Sequence, residues 1–142
     1  MARDGADGVK LLESEFYVVR SVGRVVWCEI FIPQHTNPTA GADAAQHIGK
    51  YLTESVLHRR SSWLGLIIDV RQGPSVIGPV TRTANANVLA LAERARKPMA
   101  VLTVPSRPIH AQYCELAAQH APHFVLVTDS VAKAMDWMTA AR

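Results

Sequence analysis

The sequence has few of the residues that cross-link a fold or bind a metal. Among its 142 residues there are 2 cysteines, Cys28 and Cys114, and their separation matches no metal-binding spacing. Cys28 falls in an apolar segment typical of a strand and Cys114 in a predicted helix, so we expect two reduced thiols within the fold. The 6 histidines show no recognised ligand pattern. No metal is therefore expected, and apolar packing must supply the core.

Excess charge of one sign is also scarce. The chain has 15 Lys plus Arg against 12 Asp plus Glu, a net charge of +3. The basic residues cluster only at Arg59-Arg60 and Arg94-x-Arg96-Lys97, near predicted helix ends, where cations complement the helix dipole. No aromatic residues are interleaved with these clusters, as stacking on bases would require. The sequence therefore does not predict nucleic-acid binding.

Long hydrophobic runs are absent. No apolar run reaches the roughly 18 residues that a membrane span needs. The first residues include Asp4 and Asp7, where a signal peptide needs an apolar core. We therefore expect a cytoplasmic protein without stable membrane insertion.

Complete catalytic motifs are missing as well. The run Gly73-Pro74-Ser75-Val76-Ile77-Gly78 misses the spacing of a hydrolase nucleophile elbow by one residue. No phosphate-binding Gly-x-x-x-x-Gly-Lys loop or dinucleotide-binding glycine triad occurs. A phosphoacceptor receiver domain would need acidic residues where Arg20 stands and a lysine near Thr128. We predict a non-enzymatic protein without a cofactor, and keep an enzyme as the third alternative.

The sequence does have the hydrophobic pattern of one α/β domain. Trp63–Val70 is almost continuously apolar, as in a parallel strand that is covered on both faces. Two strands before it form a predicted hairpin, and strands and helices alternate after it. This order, β-β-α-β-α-β-α-β-α, predicts an α/β fold with a mixed sheet of about five strands and helices packed on it. Residues 1–13 are predicted to be a loose N-terminal arm, and residues 14–142 a single domain.

The predicted elements are strands at Phe16–Arg20, Val25–Ile32, Trp63–Val70, Met99–Val104 and Phe124–Val127, and helices at Ala42–Arg60, from Pro79 to about Arg96, after Ser106, and from Ser130 to Met138.

Polar side chains follow the ends of several predicted parallel strands. They are Asp69, Arg71, Ser106, Arg107 and Asp129. Ligands of open sheets bind at this edge, and the helix N-termini beside it favour anions. A phosphate or carboxylate would fit there. The alternative is that Asp69 bonds local backbone, that Asp129 and Ser130 cap a helix, and that the arginines are solvated. Ser106 is predicted to cap the helix that follows it.

Ser75 and Thr81 are candidate phosphoacceptors. Ser75 precedes the second predicted helix and Thr81 lies in its first turn. A phosphate there would be stabilised by the helix dipole and could reach Arg71 or Arg82. The alternative is ordinary loop and helix polarity.

The chain resembles a known family in its element order, its central strand with Asp69 and its helix from Pro79. The ending from Phe124 to Met138 is similar too, because a polar cap leads into alanines and Trp137. Over about residues 14–140 the sequence is similar to the STAS domains, and more closely to the SpoIIAA-like (STAS/SEC14-type) domains of bacteria.

The resemblance implies regulation by binding. Anti-sigma factor antagonists of this fold bind a partner kinase, and phosphorylation of a serine at the start of the helix after the central strand switches them. Their Asp-Ser-Ser-Gly type run is replaced here by the segment from Ser75 to Thr81. Other relatives bind lipid or nucleotide-like ligands.

We therefore expect a regulatory, protein-interaction module that binds a protein partner or itself. The alternative is a domain that holds a small anionic or lipid ligand at the C-terminal edge of the parallel strands, through Arg71 and Arg107. The predicted hairpin leaves an edge strand of the kind that homodimers use. The sequence leaves open whether the protein is a monomer or a dimer.

Overall fold

A single six-stranded sheet carries the fold, and its strands lie side by side in sequence order. The computed structural model describes residues 8–32 and 38–140. The first three strands pair antiparallel, and the third to the sixth pair parallel. The predicted mixed α/β class is confirmed, with six strands in place of about five. The strands are β1 (Val9–Glu13), β2 (Tyr17–Val22), β3 (Val25–Ile30), β4 (Gly65–Asp69), β5 (Met99–Leu102) and β6 (Val125–Thr128).

Four helices pack on this sheet. They are α1 (Pro38–Tyr51), α2 (Pro79–Ala95), α3 (Pro108–His120) and α4 (Val131–Thr139). A π-helical turn at Leu52–Val56 continues α1, so the predicted helix over residues 42–60 ends earlier than expected. In the described part of the chain, no helix is both long and apolar enough to cross a membrane.

The prediction of a loose arm over residues 1–13 is wrong for Val9–Glu13, which form β1. This strand pairs with β2 from Val9 opposite Ser21 to Glu13 opposite Val18, with a shift of register between Lys10 and Leu12. Apolar and polar residues do not alternate regularly in this segment, because an irregular edge strand need not bury all the side chains of one face. Residues 1–7 lie outside the described residues.

The central strand β4 is buried along its whole length, as its apolar run predicts. Leu66 and Ile68 join the large core cluster on the face that α1, α2 and α3 cover. Ile67 packs on the other face with Ala134 and Met138 of α4. Because strand order follows sequence order, right-handed crossovers place α1, α2 and α3 on one face together.

Gly65 offers a test of this packing. A Cβ at Gly65 would lie 2.5 Å from the Pro98 carbonyl oxygen and 2.6 Å from Met138 Sδ. We expect Gly65→Ala to lower the free energy of unfolding by about 2 kcal/mol or more, as overpacking does. Gly41→Ala is the matched control: a Cβ there meets nothing within 4 Å, and α1 should gain up to about 1 kcal/mol. Urea denaturation of both variants measures the two effects, and equal effects would contradict the account.

Candidate functional site

Asp69 and Arg71 meet at the predicted edge, but they bind each other. Asp69 ends β4 and is 1% exposed. The backbone N–H of Arg71 donates to Asp69 Oδ1 at 3.1 Å. The guanidinium donates from Nε to Oδ1 at 2.9 Å and from Nη2 to Oδ2 at 2.7 Å. This bidentate geometry commits the Arg71 guanidinium to the protein's own carboxylate.

Arg107 also bonds the protein itself. Its Nη1 donates to the Arg71 carbonyl oxygen at 3.0 Å. Next to it, the Ile109 N–H donates to the Ser75 carbonyl oxygen at 2.7 Å. The Gln112 amide accepts from the Ile77 N–H at 2.9 Å and donates to the Ile77 carbonyl oxygen at 3.2 Å. The first turns of α3 therefore hold the loop between β4 and α2 at three places.

Ser106 and Asp129 do not join these residues in a site. Both side chains are exposed, and neither makes a side-chain hydrogen bond within the described residues. The prediction that Ser106 caps α3 is wrong, because Arg107 is the N-cap residue and gives no side-chain cap. For α4 the cap is Ser130, whose hydroxyl accepts from the Lys133 N–H at 3.1 Å.

The two candidate phosphoacceptors differ in access. Ser75 is exposed, and Thr81 is half-buried. The cations expected to meet a phosphate are engaged elsewhere: Arg71 with Asp69, and Arg82 with Glu115 of α3. The proposed phosphate contacts would therefore require these ion pairs to break.

A large apolar cavity lies behind the loop. Its volume is about 650 Å³. Tyr17, Cys28 and Ile68 of the sheet line one side, and Ile48 of α1 and Val88 of α2 line the others. The loop residues 74 and 76–78 and the start of α2 complete the wall. The cavity thus opens at the C-terminal end of β3 and β4, on the face that α1 and α2 cover.

Among residues 8–32 and 38–140, none of those that line the cavity is Asp, Glu, Lys, Arg or His. Most of its polar side chains already have partners. The Tyr113 hydroxyl donates to Asn85 Oδ1, and Asn85 Nδ2 donates to the Thr81 carbonyl oxygen, both at 2.9 Å. The Tyr17 hydroxyl lies 3.2 Å from His47 Nδ1. The lining therefore offers mainly hydrocarbon surface.

Burial keeps two groups of the lining, the Cys28 thiol and the Tyr113 phenol, in their neutral forms. Desolvation raises the pKa of the Cys28 thiol far above its usual range, and the nearby Asp69 adds to the effect. Desolvation likewise raises the pKa of Tyr113. Across residues 8–32 and 38–140, no group of three His, Cys, Asp or Glu side chains could hold a metal ion. The cavity therefore favours an uncharged, apolar occupant.

The rim of the cavity exposes bulky aliphatic side chains. Ile32, Val76 and Val80 are 60%, 51% and 45% exposed, and all three line the cavity. In the described structure, Val9 is the one other large hydrophobic residue with comparable exposure. Sequence reasoning missed this site, because it directed attention to polar residues and assigned the apolar ones to the core.

Comparison with known proteins bears on the fold. No protein-family model and no curated protein matches the chain. A solved structure, the NMR structure of the protein TM1081, is similar with a TM-score of 0.62. The two chains are 13% identical, and the match covers 96% of this chain and 99% of the other. At this identity the likeness shows a shared fold.

Asp69 and Asp129 allow a matched test of the strand-end prediction. Asp69→Asn removes a buried carboxylate charge from Arg71, so we expect it to lower the free energy of unfolding by about 3 kcal/mol. Asp129→Asn changes an exposed side chain and should shift stability by less than about 0.5 kcal/mol. Chemical denaturation compares the two. If Asp129→Asn were the more damaging change, the structural role of Asp69 would be wrong.

Glu29 allows a pH test of the same edge. Glu29 lies beside Asp69 in the β3–β4 register. Its pKa is raised from 4.5, first by desolvation and then by Asp69, against the opposing effect of Arg20 and Arg71. The folded state therefore binds this proton more tightly than the unfolded state, and stability falls as pH rises through the raised pKa.

We expect Glu29→Gln to raise the melting temperature at neutral pH, with the gain shrinking as pH falls through the raised pKa and lost once pH is below the unfolded value of 4.5. Glu15→Gln, at an exposed position, is the control. Melting curves from acid to neutral pH measure both variants. A gain that is largest in acid would have the wrong sign for this account.

Proposed function

We propose that this protein is a binding module that holds one hydrophobic ligand in the cavity between α1, α2 and the loop after β4. The observation that carries the proposal is an apolar cavity of about 650 Å³, in which none of the described lining residues has a charged side chain. Small-molecule sites typically measure roughly 300–1,000 Å³ and are lined mainly by hydrophobic groups. The lipid-binding alternative thus moves from Arg71 and Arg107 to the cavity beside them.

The chemistry of the lining favours a hydrocarbon chain or ring system over a charged molecule. Burying an anion there without a countercharge would be costly, whereas apolar area contributes roughly 25 cal/mol per Å² removed from water. A ligand with a polar end would keep that end at the rim, near Ile32 and Val80. Fatty alcohols and fatty acids of equal length are suitable probes, because they differ only in the head group, which carries a charge in the acid alone.

The Cys28 and Tyr113 side chains of the cavity suit a protein that binds a ligand without acting on it. The thiol of Cys28 and the phenol of Tyr113 are held neutral by burial, and Tyr113 is bonded to Asn85. Among the described residues of the lining there is no Asp, Glu or His to serve as a general base beside them, as an activated nucleophile would need. Our proposal is therefore for a ligand-holding role.

A regulatory role, as the STAS resemblance implies, fits this site as well. The loop between β4 and α2 lines the cavity and also exposes Ser75 and Val76 to solvent. A ligand beneath the loop and a partner above it would contact the same short segment. We therefore propose that a protein partner would bind this loop, and that its affinity would depend on whether a ligand occupies the cavity beneath.

Ala45→Phe tests the cavity directly. Ala45 of α1 lines it, so a phenyl ring there should fill part of the volume. We expect the folded variant to bind the neutral dye Nile red at least about tenfold more weakly, a loss of about 1.4 kcal/mol. Myristyl alcohol should displace the dye from the wild-type protein, and myristic acid should do so less well.

Ala118→Phe is the control, because it adds the same ring at an exposed position of α3 outside the cavity. Its dye affinity should stay within about twofold of wild type. Circular dichroism establishes that each variant is folded. The proposal fails if wild-type protein does not bind the dye, or if folded Ala45→Phe binds it as wild type does.

A further inference from the structure

The opposite edge of the sheet, where the parallel strands begin, is strongly basic. Five arginines with exposed side chains lie in the segments that lead into β3, β4 and β5. We call this set the basic edge. It consists of Arg24, Arg59, Arg60, Arg94 and Arg96.

Contacts fix these segments to one another. Arg24 Nη2 donates to the Ser62 carbonyl oxygen at 3.3 Å. Lys97 Nζ donates to the carbonyl oxygens of Ser61 and Trp63 at 3.0 and 2.6 Å. Arg96 places its guanidinium 5.6 Å from the centre of the Phe124 ring. The segment after Arg60 is thus tied both to the turn before β3 and to the start of β5.

The charges of the basic edge are not neutralised within the described structure. None of its arginines forms an ion pair with a described carboxylate. Glu54, Glu93 and Asp136 are the acidic residues of the elements that end nearby. The Glu93 carboxylate accepts hydrogen bonds from His123 and from the Phe124 N–H. Cations near the other edge differ, since Arg71 and Arg82 are paired with carboxylates.

Lys97 lies two residues before β5, beside the basic edge. It is 8% exposed and is bonded through Nζ to neutral oxygens. Desolvation lowers its pKa, and the charge of Arg24 lowers it further. The basic edge therefore presents a positive potential that an anionic partner would relieve.

We propose that the basic edge binds an acidic, Asp- and Glu-rich segment of a partner protein. Arginine guanidinium groups bind carboxylates through paired hydrogen bonds, and such a segment needs no further anchor. A single-stranded nucleic acid would want exposed Phe, Tyr or Trp rings for stacking, and no described Phe, Tyr or Trp side chain is exposed. A membrane would want several exposed apolar anchors, but Ile32, Val76 and Val80 lie at the other end of the sheet, around the cavity. Val9 is the one exposed large aliphatic residue of the described structure that lies at the end of the sheet where β3 begins.

The test uses a fluorescein-labelled oligoglutamate peptide, a DNA duplex and vesicles of phosphatidylglycerol with phosphatidylcholine. We expect the peptide to bind most tightly and to weaken with added salt. The double variant Arg59→Glu/Arg60→Glu should bind it at least about tenfold more weakly. The control Lys50→Glu/Lys133→Glu makes the same charge change at exposed lysines outside the basic edge and should stay within about threefold.

Three results would overturn the inference. They are no binding of the peptide to wild-type protein, tighter binding of DNA or vesicles than of the peptide, and an equal loss in the two double variants. Nile red binding is measured in parallel and should be the same in all three proteins, because the cavity is lined by other residues. This readout separates the basic edge from the proposed hydrophobic ligand site.

Discussion

The ion pair between Asp69 and Arg71 is the interaction on which the site depends. A carboxylate buried at the end of the central strand must be paired, because an uncompensated buried charge is strongly destabilising. Arg71 satisfies it from two residues away, so the chain folds back as soon as β4 ends. Gly73 then bonds the Val70 carbonyl oxygen at 3.0 Å, and Arg107 bonds the carbonyl oxygens that the turn presents. The polar side chains at this edge, Asp69, Arg71 and Arg107, thus hold the loop through hydrogen bonds within the protein.

The fixed loop has a consequence for the neighbouring cavity. Since α3 bonds the loop at Ser75 and Ile77, residues 74 and 76–80 stand as a wall facing α1. The space between that wall, the sheet and the two helices is apolar because hydrocarbon side chains dominate its lining and most of its polar side chains already have hydrogen-bond partners. The sheet therefore has two edges of different chemistry. One carries a neutral cavity with an aliphatic rim, and the other carries the basic edge.

The sequence predicted those elements of the fold whose apolar residues are also the residues buried in the structure. The apolar run of Trp63–Val70 predicts a strand covered on both faces, and β4 is such a strand. The edge strand β1 was not predicted, because it has one partner and an irregular register. Asp69, Arg71 and Arg107 were predicted as candidate site residues because they follow the ends of predicted strands. Their hydrogen bonds to one another could not be predicted, because they join residues up to 36 positions apart and depend on tertiary packing. The cavity leaves no local signature, since its lining residues are the same types that fill a core.

The most direct measurement of the central claim is methyl NMR of the protein titrated with myristyl alcohol. The account predicts intermolecular nuclear Overhauser effects from the ligand chain to the methyl groups of Ile48, Ile68 and Val88, all of which line the cavity. It also predicts no such effects to Val25 and Ile67, which pack on the opposite face of the sheet. Ligand contacts at that opposite face, or no contacts at saturating alcohol, would contradict it.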